Sequence, residues 1–199
     1  MRPVTLAAAA AILAAATTAL APEKTAAAPV NPALKLGGET AAEGFSHLMP
    51  AFSNQETRRI IRLIDGVEAE CRQLEVRYRF DCFGIGFQQV ARQIRRPDYR
   101  EVRTALERAS RSINQEVRRN LDAAAPRVSP RRPDANRSGR RQFRAVRQQA
   151  VRAVSRAART AVERASSTLL RSAQRSQQRR VHYTQIARAV DSTTLLMRA

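Results

Sequence analysis

Tryptophan is absent from this 199-residue chain, aromatic residues make up 5% of it, and glycine occurs only seven times. Evenly spaced, turn-bounded segments of β-forming residues are also absent. Alanine, arginine, glutamine and glutamate dominate from residue 53 onward, and all four favour helices. We therefore expect an all-α fold, with a small helical unit of two to three amphipathic helices plus one long basic C-terminal helix.

Signatures of catalysis and of metal binding are missing as well. The two histidines, His47 and His182, occur in different segments and form no metal-ligand spacing with each other or with the cysteines. No G-x-S-x-G, no phosphate-binding glycine loop and no cluster of carboxylates occurs. A nucleophilic pair of Cys82 and His182 would need two distant residues that no family signature surrounds. We predict a protein that is not an enzyme and that has no cofactor or metal.

Long apolar runs are limited to the N-terminus. Arg2 precedes an uncharged, alanine-rich run over residues 4–21 and then small residues, which is the layout of a secretory signal peptide. Cleavage after Ala27 is favoured over Ala19 or Ala21. The run falls short of the ~20 strongly apolar residues of a membrane span, so an uncleaved anchor is the alternative interpretation. We expect bacterial-type export to the periplasm or the medium, and a mature protein that is not integral to a membrane.

Acidic residues are scarce in the C-terminal part. The net charge is +19, and 34 of the 36 basic residues are arginine. Residues 1–122 contain 18 basic and 14 acidic side chains, whereas residues 123–199 contain 18 basic and 3 acidic ones. The acids of the first half are too few to neutralise the second. Part of the positive field should therefore remain open to an anionic partner.

Breaks in composition divide the chain into six segments. The prediction is a signal peptide (1–27), a flexible leader (28–52), a helical unit (53–122), a proline- and arginine-rich linker (123–138), a long basic helix (139–190) and a tail (191–199). Ser53 and Glu56 have the spacing of a capping box, so the first helix should begin there.

Two amphipathic helices are expected in the helical unit. The first carries an apolar stripe at three- and four-residue intervals: Ile60, Leu63, Ile64, Val67, Cys71 and Leu74. The second covers residues 99–121. Between them, residues 74–82 fit both a strand and a helix, and we interpret them as the end of the first helix, which stops before Asp81. The glycines of "FGIGF" (83–87) then precede a short helix over residues 87–94.

Cysteine occurs only twice, at Cys71 and Cys82. Two thiols in a short exported chain predict a disulfide. On a continuous helix the two residues would lie ~16 Å apart, which is too far for a bridge. An intramolecular bond therefore requires a corner between two helices. No glycine or proline marks such a turn, so an intermolecular disulfide is the alternative.

The predicted long basic helix has twelve arginines and one acid between residues 139 and 180. Arginines four residues apart repel each other on a helix, which indicates an anionic ligand along it. The candidate anion-binding residues are Arg140, Arg141, Arg144, Arg147, Arg152, Arg156, Arg159, Arg171, Arg175, Arg179 and Arg180.

These observations favour an exported, non-enzymatic protein that binds an anionic envelope component, such as lipid headgroups, lipopolysaccharide or an acidic polymer, or else an acidic partner protein. One alternative is a self-associating structural coiled coil whose basic face only keeps it soluble. A second is a nucleic-acid-binding protein that makes non-specific, salt-dependent contacts with phosphate.

Overall fold

The computed structural model describes residues 52–130 and 141–198, and five α-helices lie within those ranges. They are α1 (Asn54–Arg72), α2 (Val76–Gln93), α3 (Arg100–Arg119), α4 (Val151–Ala173) and α5 (Gln177–Ser192). Short 3-10 turns cover Pro97–Tyr99, Gln148–Ala150 and Thr193–Met197. No β-sheet forms in these ranges, and the predicted all-α class is confirmed.

The helices are arranged as a closed ring. Each one packs against the next in the chain, and α5 returns to pack against α1. All five contribute to one continuous apolar core, which includes the fully buried phenylalanines of α2, Phe80, Phe83 and Phe87. The C-terminal segment is therefore half of the bundle, and it is not an appendage to a separate N-terminal unit.

Helix α1 follows its sequence signals closely. The hydroxyl of Ser53 accepts a hydrogen bond from the backbone N–H of Glu56 at 3.1 Å, which satisfies one free donor of the first turn. The Glu56 carboxylate pairs with Arg59 at 3.0 Å, so only the serine half of the predicted capping box forms. Four positions of the apolar stripe are buried on this helix: Ile60, Ile64, Val67 and Cys71.

The first helix ends earlier than expected. It stops at Arg72, and α2 begins at Val76, so the prediction that one helix continues almost to Asp81 is wrong. Polar contacts stabilise the corner. The N–H of Leu74 donates to the carbonyl of Cys71 at 3.1 Å, and the carbonyl of Leu74 accepts from Nε of Arg79 at 2.8 Å. These hydrogen bonds stabilise a turn that contains no glycine or proline.

The "FGIGF" stretch lies inside α2 and does not break it. This helix is buried on most of its circumference, which explains why its sequence fits two periods. A methyl group on Gly84 would collide with the side chain of Asn114 in α3, and one on Gly86 would collide with Val67 in α1. The two glycines therefore allow the neighbouring helices to approach closely. The prediction of a separate short helix over residues 87–94 is wrong, because α2 runs without a break from Val76 to Gln93.

The predicted single helix over residues 139–190 is also wrong. Residues 141–147 are extended and run antiparallel to residues 121–128, with bridges between Leu121 and Val146 and between Val128 and Phe143. Helix α4 then ends at Ala173, and α5 begins after Ser176, whose hydroxyl accepts from the N–H of Arg179 at 3.2 Å. This serine cap starts a new helix where composition alone does not change. The second amphipathic helix, by contrast, is confirmed as α3.

None of the helices in the described ranges is long and apolar enough to cross a membrane. The predicted signal peptide and nearly all of the leader lie outside those ranges. Residues 131–140, which cover the end of the predicted linker and the start of the predicted long helix, also lie outside them.

Candidate anion-binding surface

The two cysteines are bonded within the chain and lie in the core. Cys71 is in the last turn of α1 and Cys82 is in α2, with their Cα atoms 5.7 Å apart. Both are buried, with exposed fractions of 0% and 2%. The bond therefore holds the corner between the two helices, as the intramolecular interpretation required. It leaves no thiol of Cys82 for a nucleophilic pair with His182.

One predicted anion-binding residue, Arg144, is instead an internal partner. Its Nη2 lies 2.7 Å from Oδ1 of Asp81, a carboxylate that is 1% exposed, and its backbone N–H donates to Oδ2 at 2.9 Å. The hydrogen bonds with Asp81 raise the pKa of Arg144, against the opposing effect of burial. Arg144 therefore balances a buried charge and is not open to an external anion.

Glu101, at the start of α3, engages two further predicted residues. Nη1 of Arg175 and Nη1 of Arg179 lie 3.1 Å and 3.0 Å from Oε1 of this carboxylate, and the hydroxyl of Ser172 donates to Oε2. Burial opposes ionisation of Glu101, but the hydrogen bonds from Ser172 and Arg179 and the two positive charges lower its pKa overall. This cluster joins α3 to the end of α4 and the start of α5. The single carboxylate offsets one of the two positive charges.

The other predicted residues outside the central part of α4 differ in their surroundings. Arg141 pairs with Glu70 at 3.5 Å. Arg147 is exposed and donates weakly to the carbonyl of Arg119 at 3.4 Å. Arg180 is exposed. Arg140 lies outside the described residues.

The remaining arginines form one surface, the α4 basic face, which consists of Arg152, Arg156, Arg159, Arg164 and Arg171. All five lie on the side of α4 that is opposite its buried Val154, Ala158, Val162 and Leu169. They extend over ~29 Å of helix, at 1.5 Å per residue. Only one acid, Glu163, lies among them, and it pairs with Arg159 at 3.7 Å. Arg164 is the one member of this face that is not among the candidate residues from the sequence.

Arginines from other elements extend this face on both edges. Arg198 joins Arg152, Arg156 and Arg159 around a depression of about 360 Å³ beside Ser155. Arg108 of α3 faces Arg164 and Arg171 across a second depression, the α3–α4 groove, of about 370 Å³. The face is thus a broad positive surface fixed on a rigid helix.

A polar cluster that the sequence did not reveal joins α1, α5 and the 3-10 turn that ends at Tyr99. His182 is only 9% exposed and lies in the first half of α5. Its Nδ1 is 2.8 Å from Oγ1 of Thr57, which is in turn 2.8 Å from the hydroxyl of Tyr99. The ring of Phe52 stacks on the imidazole with a centroid distance of 5.5 Å. These contacts fasten α5 to the start of α1.

The arrangement of the described residues is suited to charge recognition. Among them, no three or more histidine, cysteine, aspartate or glutamate residues are placed to hold a metal ion. Arginine side chains with exposed guanidinium groups bind phosphate and carboxylate oxygens through paired hydrogen bonds.

Comparisons with protein-family models, with curated proteins and with solved structures find no match for this chain.

Proposed function

We propose that this chain is an exported, non-enzymatic protein that binds an anionic component of the cell envelope through its α4 basic face. The single observation that carries the proposal is the row of arginines on α4, in which Arg152, Arg156, Arg164 and Arg171 are exposed and Arg159 pairs with the one acid of the row, Glu163. An acidic partner protein would make use of the same charge.

The distribution of the internal ion pairs supports this assignment. The acids Glu70, Asp81 and Glu101 are engaged by arginines that lie before and after the α4 basic face. These pairs leave Arg152, Arg156, Arg164 and Arg171 without a carboxylate partner among the described residues. A basic side chain near an anionic membrane contributes on the order of 1 kcal/mol, so five of them give appreciable adsorption that salt weakens.

Export is the second part of the proposal. The disulfide between Cys71 and Cys82 fits an oxidising compartment, because cytosolic thiols are kept reduced. The layout of residues 1–27 agrees with it. Together they favour the periplasm or the medium, where lipid headgroups, lipopolysaccharide and acidic polymers are accessible.

Binding should be measured with residues 28–199, whose disulfide is intact, on phosphatidylglycerol vesicles, phosphatidylcholine vesicles and lipopolysaccharide. A salt series from about 0.02 to 0.15 M tests the electrostatic origin. We expect binding to the two anionic surfaces, little binding to phosphatidylcholine, and a decline with salt. No binding to either anionic surface at the lowest salt would overturn the proposal.

A matched pair of variants separates the α4 basic face from net charge. The test variant is R152Q/R156Q/R164Q/R171Q. The control is R58Q/R62Q/R92Q/R118Q, which removes the same charge from exposed positions on α1, α2 and α3. We expect the test variant to lose most of the binding and the control to keep most of it. Equal losses would mean that net charge acts without a defined surface.

Duplex DNA serves as a competitor in the same measurement. Phosphate contacts by arginine also bind nucleic acid without sequence preference, and that binding falls steeply with salt. The proposal expects lipopolysaccharide binding to persist at physiological salt in the presence of DNA. Displacement by DNA at equal charge concentration would instead favour the nucleic-acid alternative.

A further inference from the structure

The α3–α4 groove differs from the rest of the α4 basic face because it is concave. Its volume is about 370 Å³, at the lower end of the ~300–1,000 Å³ typical of small-molecule sites. Four alanines, two from each helix, form its floor, and their small side chains leave the space between the helices open. The polar residues that line it are Arg108, Ser112, Arg164, Thr168 and Arg171.

The groove has three guanidinium groups and no acid in its lining. Within the described part of the chain, no ion pair joins Arg108, Arg164 or Arg171 to a carboxylate. Three positive charges around one small concavity repel each other, so an anion bound between them removes that repulsion. The positive charge of the groove therefore has no carboxylate in the lining to balance it, unlike the cluster around Glu101 at the start of α3.

One of the three arginines also makes a weak hydrogen bond to a hydroxyl of the lining. The hydroxyl of Thr168 donates to the carbonyl of Arg164 at 2.7 Å, so its oxygen is oriented as an acceptor. Nη2 of Arg171 donates to that oxygen at 3.4 Å. This weak contact leaves the other N–H donors of Arg171 available at the groove. Ser112 supplies a hydroxyl from α3 on the facing wall.

We propose that the α3–α4 groove is a binding site for a phosphate monoester, held by Arg108, Arg164 and Arg171 and by the Ser112 hydroxyl. A monoester carries close to two negative charges and three terminal oxygens at neutral pH, which matches several guanidinium groups better than a carboxylate with one charge and two oxygens. A phosphodiester has one charge and two terminal oxygens, and it binds more weakly. The alanine floor accommodates the group that is esterified to the phosphate.

This site rests on the proposed function and specifies which headgroup the α4 basic face would select. The monoester has two sources, a lipid headgroup or a soluble phosphorylated compound. Glucose 6-phosphate tests the soluble source by titration calorimetry, with glucose as the uncharged control. Vesicles that contain phosphatidic acid test the lipid source, and phosphatidylglycerol vesicles of equal charge provide the diester comparison.

The test variant is R108Q/R164Q, and the matched control is R58Q/R62Q, which removes two charges from α1, outside the α4 basic face. All four positions are exposed, so far-UV circular dichroism and urea midpoints should match those of the unmodified chain. We expect saturable binding of glucose 6-phosphate, or preference for phosphatidic acid over phosphatidylglycerol, that weakens on the order of tenfold or more in R108Q/R164Q. The control should weaken it by less than about threefold.

Binding of glucose 6-phosphate supports a soluble ligand, and preference for phosphatidic acid alone supports a lipid ligand. The proposal is overturned if neither is observed, or if the two variants weaken binding equally. Its failure is distinct from failure of the proposed function. If vesicles and lipopolysaccharide bind but no monoester preference exists, the groove proposal alone is lost. If glucose 6-phosphate binds and no anionic surface does, the adsorption proposal alone is lost.

Discussion

Asp81 and Arg144, which are 63 positions apart, form the most deeply buried ion pair among the described residues. The guanidinium approaches the carboxylate at 2.7 Å, and the backbone N–H of Arg144 donates to the same carboxylate at 2.9 Å. Asp81 lies in the middle of α2, whereas Arg144 belongs to the extended segment that precedes α4. The pair therefore fastens the second half of the chain to the central helix.

Removal of the Arg144 side-chain charge should be strongly destabilising. In Arg144→Gln the Asp81 carboxylate stays buried without its main partner, which costs about 3–5 kcal/mol of unfolding free energy. Urea denaturation followed by circular dichroism measures the loss. Arg147→Gln is the control, because the Arg147 side chain is exposed and makes one weak hydrogen bond. This variant should change stability by less than about 0.5 kcal/mol. Similar values for the two variants would mean that the pair is not a determinant of stability.

The two helical glycines Gly86 and Gly66 should respond in opposite directions to alanine. A methyl group at Gly86 would collide with Val67, and relief of that overlap typically costs about 1–3 kcal/mol. Nothing lies within 4 Å of a methyl group at Gly66, where alanine should stabilise helix α1 by about 0.5–1 kcal/mol. Urea midpoints of Gly86→Ala and Gly66→Ala would show the two signs. A stabilised Gly86→Ala would contradict the close contact of α1 and α2.

The disulfide should contribute to stability through the short loop that it closes. Its cysteines are separated by 11 positions, and the chain-entropy relation gives about 3 kcal/mol for a loop of this size. The variant Cys71→Ala/Cys82→Ala should lose that amount relative to the oxidised chain, with its helical circular dichroism spectrum retained. Addition of reductant should lower the stability of the unmodified chain and leave that of the variant unchanged. A variant as stable as the oxidised chain would show that packing alone holds the corner.

The sequence was sufficient for those helices whose one apolar face repeats at the helical period. The stripe of Ile60, Ile64 and Val67 is an example, because water on one side and core on the other leave a clear pattern. Helix α2 is apolar on most sides, so the pattern of residues 74–82 could not distinguish helix from strand. Its glycines looked like a turn because their actual role, contact with Val67 and Asn114, depends on partners that are remote in sequence.

The boundaries of the C-terminal helices were less predictable, and so was whether each arginine pairs with an acid. Ser176 caps α5 in a stretch where alanine and arginine continue on both sides, so composition conceals the break. Charge count indicated an excess of arginine in this half, but not which side chains find an acid. Arg144 and Arg179 are neutralised by Asp81 and Glu101, which are distant in sequence. The α4 basic face is part of the positive charge that remains after those pairs form.

His182 should make stability depend on pH below neutrality. Burial of the imidazole lowers its pKa from the ordinary value of 6.5 in the folded chain. The unfolded chain therefore takes up a proton at a higher pH than the folded chain does. Well above pH 6.5 this group therefore has no effect on the unfolding free energy. The unfolding free energy decreases as the pH falls through 6.5 towards the lower pKa of the folded chain.

The urea midpoint of the unmodified chain should accordingly decrease as the pH is lowered from about 7.5 to about 5.5. Most carboxylates titrate below this range. The fall should be much smaller in His182→Gln, in which the side chain can still form a hydrogen bond with Thr57 but has no proton to gain. His47→Gln is the control for the second histidine and should keep the full dependence. Because the contacts of His182 with Thr57 and Phe52 join α5 to the start of α1, protonation should loosen this closure of the ring first. Faster amide hydrogen exchange at the start of α1 than in α3 at about pH 5.5 would demonstrate that order, and uniform exchange across the bundle would contradict it.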